Sequence, residues 1–136
     1  MAIDPAVIGT RLPQCRMTVD PARLRFFRKA VGADAGDDGT VPPTFLFSVE
    51  LESPDPFGWL RDLGIDLRRV LHGEQSFMYH RPLAIGERLT ASPVIADVYS
   101  RGEGALDFVV KETAVTRGDG EPVADLRSVL IVRNPT

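Results

Sequence analysis

Four long extended segments fill the second half of this sequence and constrain its fold more than any other feature. Each is rich in β-branched and aromatic residues and is bounded by Gly, Pro or Asp, which is typical of strands joined by turns. In the third segment Leu106, Phe108 and Val110 alternate with Asp107, as expected of a strand with one side on a core. We therefore predict a four-stranded antiparallel meander over residues 74–81, 88–99, 106–116 and 123–133.

The first half of the chain predicts helices that pack on this sheet. After a short strand expected around residues 12–19, Asp20 and Pro21 provide an N-cap and a first helical residue. The helix that follows carries an apolar stripe at Leu24, Phe27 and Val31. A second, shorter helix is expected after residues 53–56. Helices followed by a run of strands indicate an α+β fold, with helix packed on one face of a curled antiparallel sheet.

The segment at residues 45–51 has a different pattern. Its odd-numbered positions are apolar and alternate with Ser48 and Glu50, which by periodicity favours a strand. Leu46 makes the other side of its early part apolar as well.

Composition limits the size and the partners of the fold. A chain of 136 residues can bury one hydrophobic core, so we predict a single domain over residues 1–136. The net charge of -3 leaves no basic surplus for nucleic acid. The single cysteine, Cys15, cannot form an internal disulfide, and no segment is apolar enough to cross a membrane. We therefore expect a cytoplasmic protein that binds neither nucleic acid nor membrane.

Few residues indicate chemistry. The sequence has no nucleophile elbow, phosphate loop or dinucleotide-binding glycine motif. His72 stands where a strand begins, and either faces a cleft or caps the preceding helix, whereas His80 is more typical of an edge residue. The spacing of these two histidines suits no zinc site, so we expect no metal ion and no cofactor. Acids at Asp34 and at Asp37 and Asp38 are candidates for acid–base work.

Several phrases, in their order, resemble one family. The chain resembles the MaoC-like acyl dehydratases of the hotdog fold, in particular the N-terminal-type or partner subunits of (R)-specific enoyl-thioester hydratases. The resemblance covers nearly the whole chain. The phrases that carry it are RLRFFRKAVG at 23–32, VPPTFL at 41–46, LHGEQSFMYHRPL at 71–83, GERL at 86–89, KET at 111–113 and GEPVA at 120–124.

The resemblance implies a hotdog fold, a curled antiparallel β-sheet wrapped around a central α-helix. In this family the central helix starts directly after the Pro-Pro-Thr phrase, so the resemblance implies that residues 44–51 are helical and buried, against the periodicity. It also implies that Pro43, Phe45 and Phe47 line an acyl groove, and that the amide of Thr44 or Phe45 binds the thioester carbonyl. The substrate would be an acyl-CoA or acyl-carrier-protein thioester.

The family's catalytic phrase is missing. These hydratases activate water with an Asp and a His in an Asp-x-Asn-Pro-x-His phrase after the first helix, but residues 32–40 hold no Asn-Pro and no His. Asp34 is the nearest acid, and Asp34 and His72 are the weak catalytic candidates. The resemblance therefore implies a subunit that shapes the acyl groove while a second hotdog subunit, in a homo- or heterodimer, supplies the dyad.

Two alternatives stay open. One is a non-catalytic module that binds acyl thioesters or has a structural role. The other is a hotdog acyl-CoA thioesterase, which needs a carboxylate or histidine near the central helix, such as Glu50, Glu52 or an acid of the loop at residues 33–40.

Overall fold

The computed structural model describes residues 3–33 and 41–135. Two α-helices, α1 (Pro21–Ala30) and α2 (Gly58–Asp62), accompany five strands. Three 3₁₀ helices span Pro5–Val7, Phe45–Glu52 and Leu67–Arg69, and we call the second of these the central helix. The strands are β1 (Cys15–Thr18), β2 (Val70–Tyr79), β3 (Arg88–Arg101), β4 (Leu106–Arg117) and β5 (Pro122–Arg133).

The strands form one curled antiparallel sheet in the order β1-β3-β4-β5-β2. Strands β3, β4 and β5 form three strands of the predicted meander. The meander also predicted that β2 lies next to β3, and this prediction is wrong, because β2 pairs with β5. Only short turns separate β3 from β4 and β4 from β5, which forces hairpins. The connection at residues 80–87 is longer and carries the chain across the ends of β5 and β4. Strand β1 occupies the vacated position beside β3.

The central helix confirms that the segment expected to be helical at residues 44–51 is not a strand, but it begins at Phe45 rather than Thr44, it is a 3₁₀ helix, and only part of it is buried. Phe45, Leu46 and Val49 are fully buried, whereas Phe47 is 42% and Leu51 48% exposed. A 3₁₀ helix has three residues per turn, so residues three apart lie on one edge. Phe47 and Glu50 share such an edge, and both side chains line a cleft between this helix and the sheet.

Two apolar clusters fill the structure. In the first, the Phe45 ring meets Phe27 of α1 edge to face, with centroids 5.3 Å apart. The second lies where β3, β4 and β5 meet α2 and the N-terminal segment. Here the expected outward position of Asp107 is wrong: it is fully buried, and accepts hydrogen bonds from the Ser100 hydroxyl at 2.6 Å and the Ile3 amide at 3.2 Å. The N-terminal segment covers this face of the strand.

No helix in residues 3–33 and 41–135 is long and apolar enough to span a membrane.

Candidate functional site

A cleft of about 410 Å³ opens between the central helix, α2 and the sheet. Most of its lining is apolar, and several of these side chains are exposed to solvent, Phe47, Leu51 and Phe57 among them. Aromatic rings and leucines supply the walls: Phe47, Phe57, Trp59, Leu60, Leu126 and Leu130. Such a surface suits an apolar chain better than a polar ligand.

A row of polar side chains crosses the floor of this cleft. Lys111 of β4 is opposite Ser128 of β5, and Ser128 is opposite Gln75 of β2. All three line the cleft, and the Ser128 hydroxyl donates to Gln75 Oε1 at 2.6 Å. The row is therefore set by strand register, which brings together residues far apart in the chain.

Glu50 lies over one end of this row. Its carboxylate forms an ion pair with the Lys111 ammonium and accepts a hydrogen bond from the Thr113 hydroxyl at 2.6 Å. Lys111 Nζ also lies 5.1 Å from the centre of the Trp59 ring. Lys111 is only 8% exposed, so the cleft contains a largely buried charge pair. Burial raises the pKa of the nearby Cys15 thiol, and the Glu50 carboxylate adds to that shift while Lys111 opposes it.

His72 lies at the mouth of the cleft. Its ring stacks on Phe47, with centroids 5.4 Å apart, and its Nε2 is 2.9 Å from the carbonyl oxygen of Glu74. A β-bulge at Gly73 places it there, since the register with β5 shifts between His72 and Glu74. In the described part of the chain, no carboxylate is hydrogen-bonded to the His72 imidazole.

The turn at the start of the central helix holds three further sequence-predicted residues. Pro43 and Thr44 are exposed, and the Pro43 carbonyl accepts a hydrogen bond from the Tyr79 hydroxyl. The Phe45 amide donates to the Pro42 carbonyl at 3.0 Å, and the Phe45 ring lies in the core rather than in the cleft. Of the predicted groove residues, Phe47 is the one whose side chain lines the cleft.

Burial also perturbs the tyrosine beside this turn. It raises the pKa of Tyr79 from its ordinary 10.0 to about 12, although a hydrogen bond from the Leu46 backbone counteracts part of the effect. The phenol is therefore neutral over the physiological range and can donate to Pro43.

The other acid–base candidates lie elsewhere. Asp34, like Asp37 and Asp38, lies outside the described residues. His80 Nε2 is 2.8 Å from Asp125 Oδ2, which makes a histidine–carboxylate pair. Asp125 is exposed between the buried Ala124 and Leu126, so this pair lies on the outer face of the sheet and not in the cleft.

Sequence patterns pointed to Glu50 and His72, but not to the three polar residues of the cleft floor, Lys111, Gln75 and Ser128. Lys111 offered a signal, because a lysine follows Val109 and Val110 inside a strand predicted to face a core. Gln75 and Ser128 offered none, since polar residues occur at exposed strand positions in most sheets. Among residues 3–33 and 41–135 no group of three or more His, Cys, Asp or Glu side chains is placed to hold a metal ion.

The curled antiparallel sheet and its central helix define a protein of the hotdog fold. One chain of the 3R-hydroxyacyl-ACP dehydratase complex HadBC from Mycobacterium tuberculosis superposes with a TM-score of 0.71 and 25% identity, over 96% of this chain and 99% of that one. A MaoC-like dehydratase from Phytophthora capsici superposes with a TM-score of 0.78 and 19% identity, over 98% of this chain and 50% of that one.

A model of the FAS1-like dehydratase domain region matches residues 6–126, and the chain belongs to this family. Similar proteins include the UPF0336 protein of Saccharopolyspora erythraea, 33% identical over 147 aligned positions that cover 98% of this chain and 93% of that protein. The UPF0336 protein of Streptomyces griseus is 35% identical over 153 positions, covering 98% and 97%. Both alignments are longer than the 136 residues of this chain, so each relative carries residues that have no counterpart here.

Proposed function

We propose that this chain is a subunit of an (R)-specific hydratase or dehydratase that acts on acyl-CoA or acyl-carrier-protein thioesters. It binds the acyl chain in its cleft, and a second hotdog subunit supplies the catalytic Asp and His. The observation that carries the proposal is an apolar cleft in a dehydratase-family fold whose described residues place no histidine–carboxylate pair in it.

The cleft supports the acyl part of the proposal. Its volume lies in the range of about 300–1,000 Å³ common for ligand sites, and its walls are mostly aromatic and aliphatic. Each methylene that leaves water there contributes about 0.8 kcal/mol. Phe47 of the central helix and Trp59 of α2 both belong to this wall.

The start of the central helix supports a site for the thioester carbonyl. Thr44 is exposed, and no acceptor is hydrogen-bonded to its amide in the described part of the chain. The Phe45 amide already donates to Pro42, so we assign the carbonyl-binding role to Thr44. A fixed N–H donor placed where negative charge develops stabilises the enolate that forms when water adds to the enoyl thioester. Pro43 would border this site.

The absent dyad supports the division of labour. His72 stacks on the Phe47 ring and contacts the Glu74 backbone carbonyl, and no carboxylate of the described residues is hydrogen-bonded to its imidazole to orient it for acid–base work. If this chain were catalytic without a second subunit, Asp34 and His72 would be its own candidates for the catalytic Asp and His. Two solved structures with this fold, HadBC and the ChsH1-ChsH2 complex of Mycobacterium tuberculosis, are complexes of different chains.

The edge strand β2 supports the pairing with another subunit. It is ten residues long and lies at the end of the sheet, with β5 on one side and no strand of the described chain on the other. Its exposed side chains include Leu71 and Met78. Long exposed edge strands pair readily with another chain, which completes their backbone hydrogen bonds.

The test begins with the tagged chain purified from its own host, where native mass and the identity of co-purifying chains are measured. Hydration of an enoyl-CoA is then compared for this chain alone and for the complex. We expect turnover only with the second chain. Robust turnover by the single chain, abolished by Asp34→Asn or His72→Gln but not by the outer-face control His80→Gln, would contradict the division of labour.

The Glu50 carboxylate in the cleft favours thioester hydrolysis as a second candidate. The two reactions differ in product, because hydrolysis releases a free thiol and hydration releases none. A thiol assay on acyl-CoA, repeated with Glu50→Gln, separates them. Thiol release that depends on Glu50 would replace our proposal with a thioesterase.

A further inference from the structure

We propose that the cleft contains a polar subsite that binds an uncharged oxygen group, a hydroxyl or a carbonyl, carried on the acyl chain. Lys111, Gln75 and Ser128 form its floor, and Glu50 forms one wall. The inference rests on the proposed function, since it takes the cleft to be the acyl groove, and it adds a preference for oxygenated chains over plain alkyl chains.

The first observation is the placement of the polar groups. Lys111, Ser128 and Gln75 are register partners on three neighbouring strands, so they form a continuous row across the floor. The walls on either side of the row are apolar, with Leu126 and Leu130 two residues from Ser128 along β5 and also lining the cleft. An oxygen anywhere along this row meets a hydrogen-bonding group.

The second observation is unused hydrogen-bonding capacity. The Lys111 ammonium has three donors and a single hydrogen-bond acceptor among the described residues, Glu50. The Gln75 amide nitrogen makes only a long contact of 3.4 Å to the Ser76 carbonyl, while its oxygen accepts from Ser128. Lys111 and Gln75 thus offer donors to a ligand, and the Ser128 oxygen offers an acceptor.

The third argument concerns the contribution of the Glu50–Lys111 ion pair to folding stability and to alkyl binding. A buried ion pair contributes little to stability, because desolvation offsets its attraction, and well-packed apolar residues in its place are often neutral or stabilising. A groove that served only alkyl chains would also bind them better with an apolar floor. The pair in this cleft is therefore better explained by a ligand group that uses it than by folding or by alkyl binding.

The charges of the subsite exclude an acidic ligand group and admit an uncharged hydroxyl or carbonyl. Glu50 balances Lys111, so the site as a whole is neutral and its carboxylate would repel an acidic ligand group. A hydroxyl can donate to Glu50 or Ser128 and accept from Lys111 or Gln75. A carbonyl can accept from either donor. A hydroxyl and a carbonyl can each form a hydrogen bond with a charged side chain, and such bonds are stronger than those between two neutral groups.

The test measures binding, not turnover. Calorimetry of the native assembly uses non-hydrolysable 2-oxoalkyl-pantetheine thioethers of one chain length, a plain alkyl chain and a series with one hydroxyl moved along it, beyond the position that hydration itself fills. We expect at least one hydroxylated chain to bind about tenfold more tightly than the plain chain, equal to about 1.4 kcal/mol. In Lys111→Met/Glu50→Gln this preference weakens, because only neutral hydrogen-bonding groups remain in the cleft, while the plain chain binds as well or better.

Controls separate the subsite from general damage. The double variant avoids an unpaired buried charge, and Gln75→Met removes one donor without touching the ion pair, so it serves if the double variant does not fold. Arg127→Met, one residue from Ser128 but exposed on the other face, is the matched control and should keep the preference. If no hydroxyl position improves on the plain chain, or if neither variant reduces the preference, the subsite is overturned while the acyl groove stands. If the plain chain does not bind at all, the proposed function fails and the subsite with it.

Discussion

The Tyr79 hydroxyl donates a hydrogen bond to the Pro43 carbonyl, and this contact ties the edge strand β2 to the turn from which the central helix starts. The two residues are 36 positions apart in the chain. The same turn exposes the Thr44 amide that we assign to the thioester carbonyl. The contact therefore holds a proposed binding group against a strand that we expect to pair with another subunit.

Tyr79→Phe should lower stability at neutral pH by about 1 kcal/mol, the usual contribution of one hydrogen bond. Its effect should depend on pH. Because burial raises the folded-state pKa of Tyr79 to about 12, above the ordinary 10.0, the folded state holds the proton more tightly than the unfolded chain. Stability is then unaffected below pH 10 and falls as the pH rises from about 10 to about 12. The phenylalanine variant has no such loss.

Urea unfolding of both proteins at a series of pH values checks this expectation. The stability difference between them should shrink above pH 10, and tyrosinate absorbance in the folded proteins should show one late-titrating group that Tyr79→Phe removes. A difference that stays constant up to pH 12 would show that Tyr79 ionises in the folded protein as it does in the unfolded chain.

Two phenylalanines of the central helix should separate ligand binding from folding. Phe47 lines the cleft and is 42% exposed, whereas Phe45 is fully buried against Phe27. Phe47→Ala should weaken binding of the plain-chain pantetheine thioether with little change in stability. Phe45→Ala should cost about 3–5 kcal/mol of unfolding free energy, as for other buried phenylalanines. Calorimetry and urea unfolding measure the two effects, and equal losses of stability would contradict the assigned positions.

Gly73 forms the bulge that positions His72, and a side chain there would collide with the sheet. An added Cβ would lie 2.9 Å from Ile131 Cδ1 and 3.2 Å from the Val129 carbonyl oxygen. Gly73→Ala should therefore cost about 1 kcal/mol, the low end of the usual range for overpacking, because the tip of the Ile131 side chain can move while the Val129 backbone cannot. Gly118→Ala is the matched control, because nothing lies within 4 Å of its added Cβ. Thermal unfolding of both variants compares them, and equal melting temperatures would argue against crowding at the bulge.

Strand β2 offers a test of subunit pairing. Met78 is 64% exposed on this edge strand, and Met78→Lys adds a charge of the kind that blocks edge-to-edge association. We expect the native mass to shift toward the single chain. Phe26→Lys in α1, where the side chain is 69% exposed, controls for the loss of a large apolar group elsewhere. Dissociation by Phe26→Lys alone would place the interface on α1.

Local patterns predicted three of the four long strands well, because alternation and turn residues act over a few neighbouring positions, whereas β2 begins four residues before its expected start at residue 74. The segments expected at 88–99, 106–116 and 123–133 correspond to β3, β4 and β5 with bounds extended by one or two residues. The central helix shows where such patterns fail. Its apolar alternation favours a strand, yet Phe45, Leu46 and Val49 all become buried, because a helix under a curled sheet can use consecutive apolar residues.

The chain's own residues thus specified an α+β fold, its long strands and, through the missing Asn-Pro and His of the family phrase, the expectation of a partner subunit. Tertiary structure decided which strands are neighbours and what the cleft contains. Pairing β2 with β5 brings Gln75 beside Ser128, and pairing β4 with β5 adds Lys111. These contacts depend on register between residues that are 53 and 17 positions apart, and local sequence preferences carry no information about such distances.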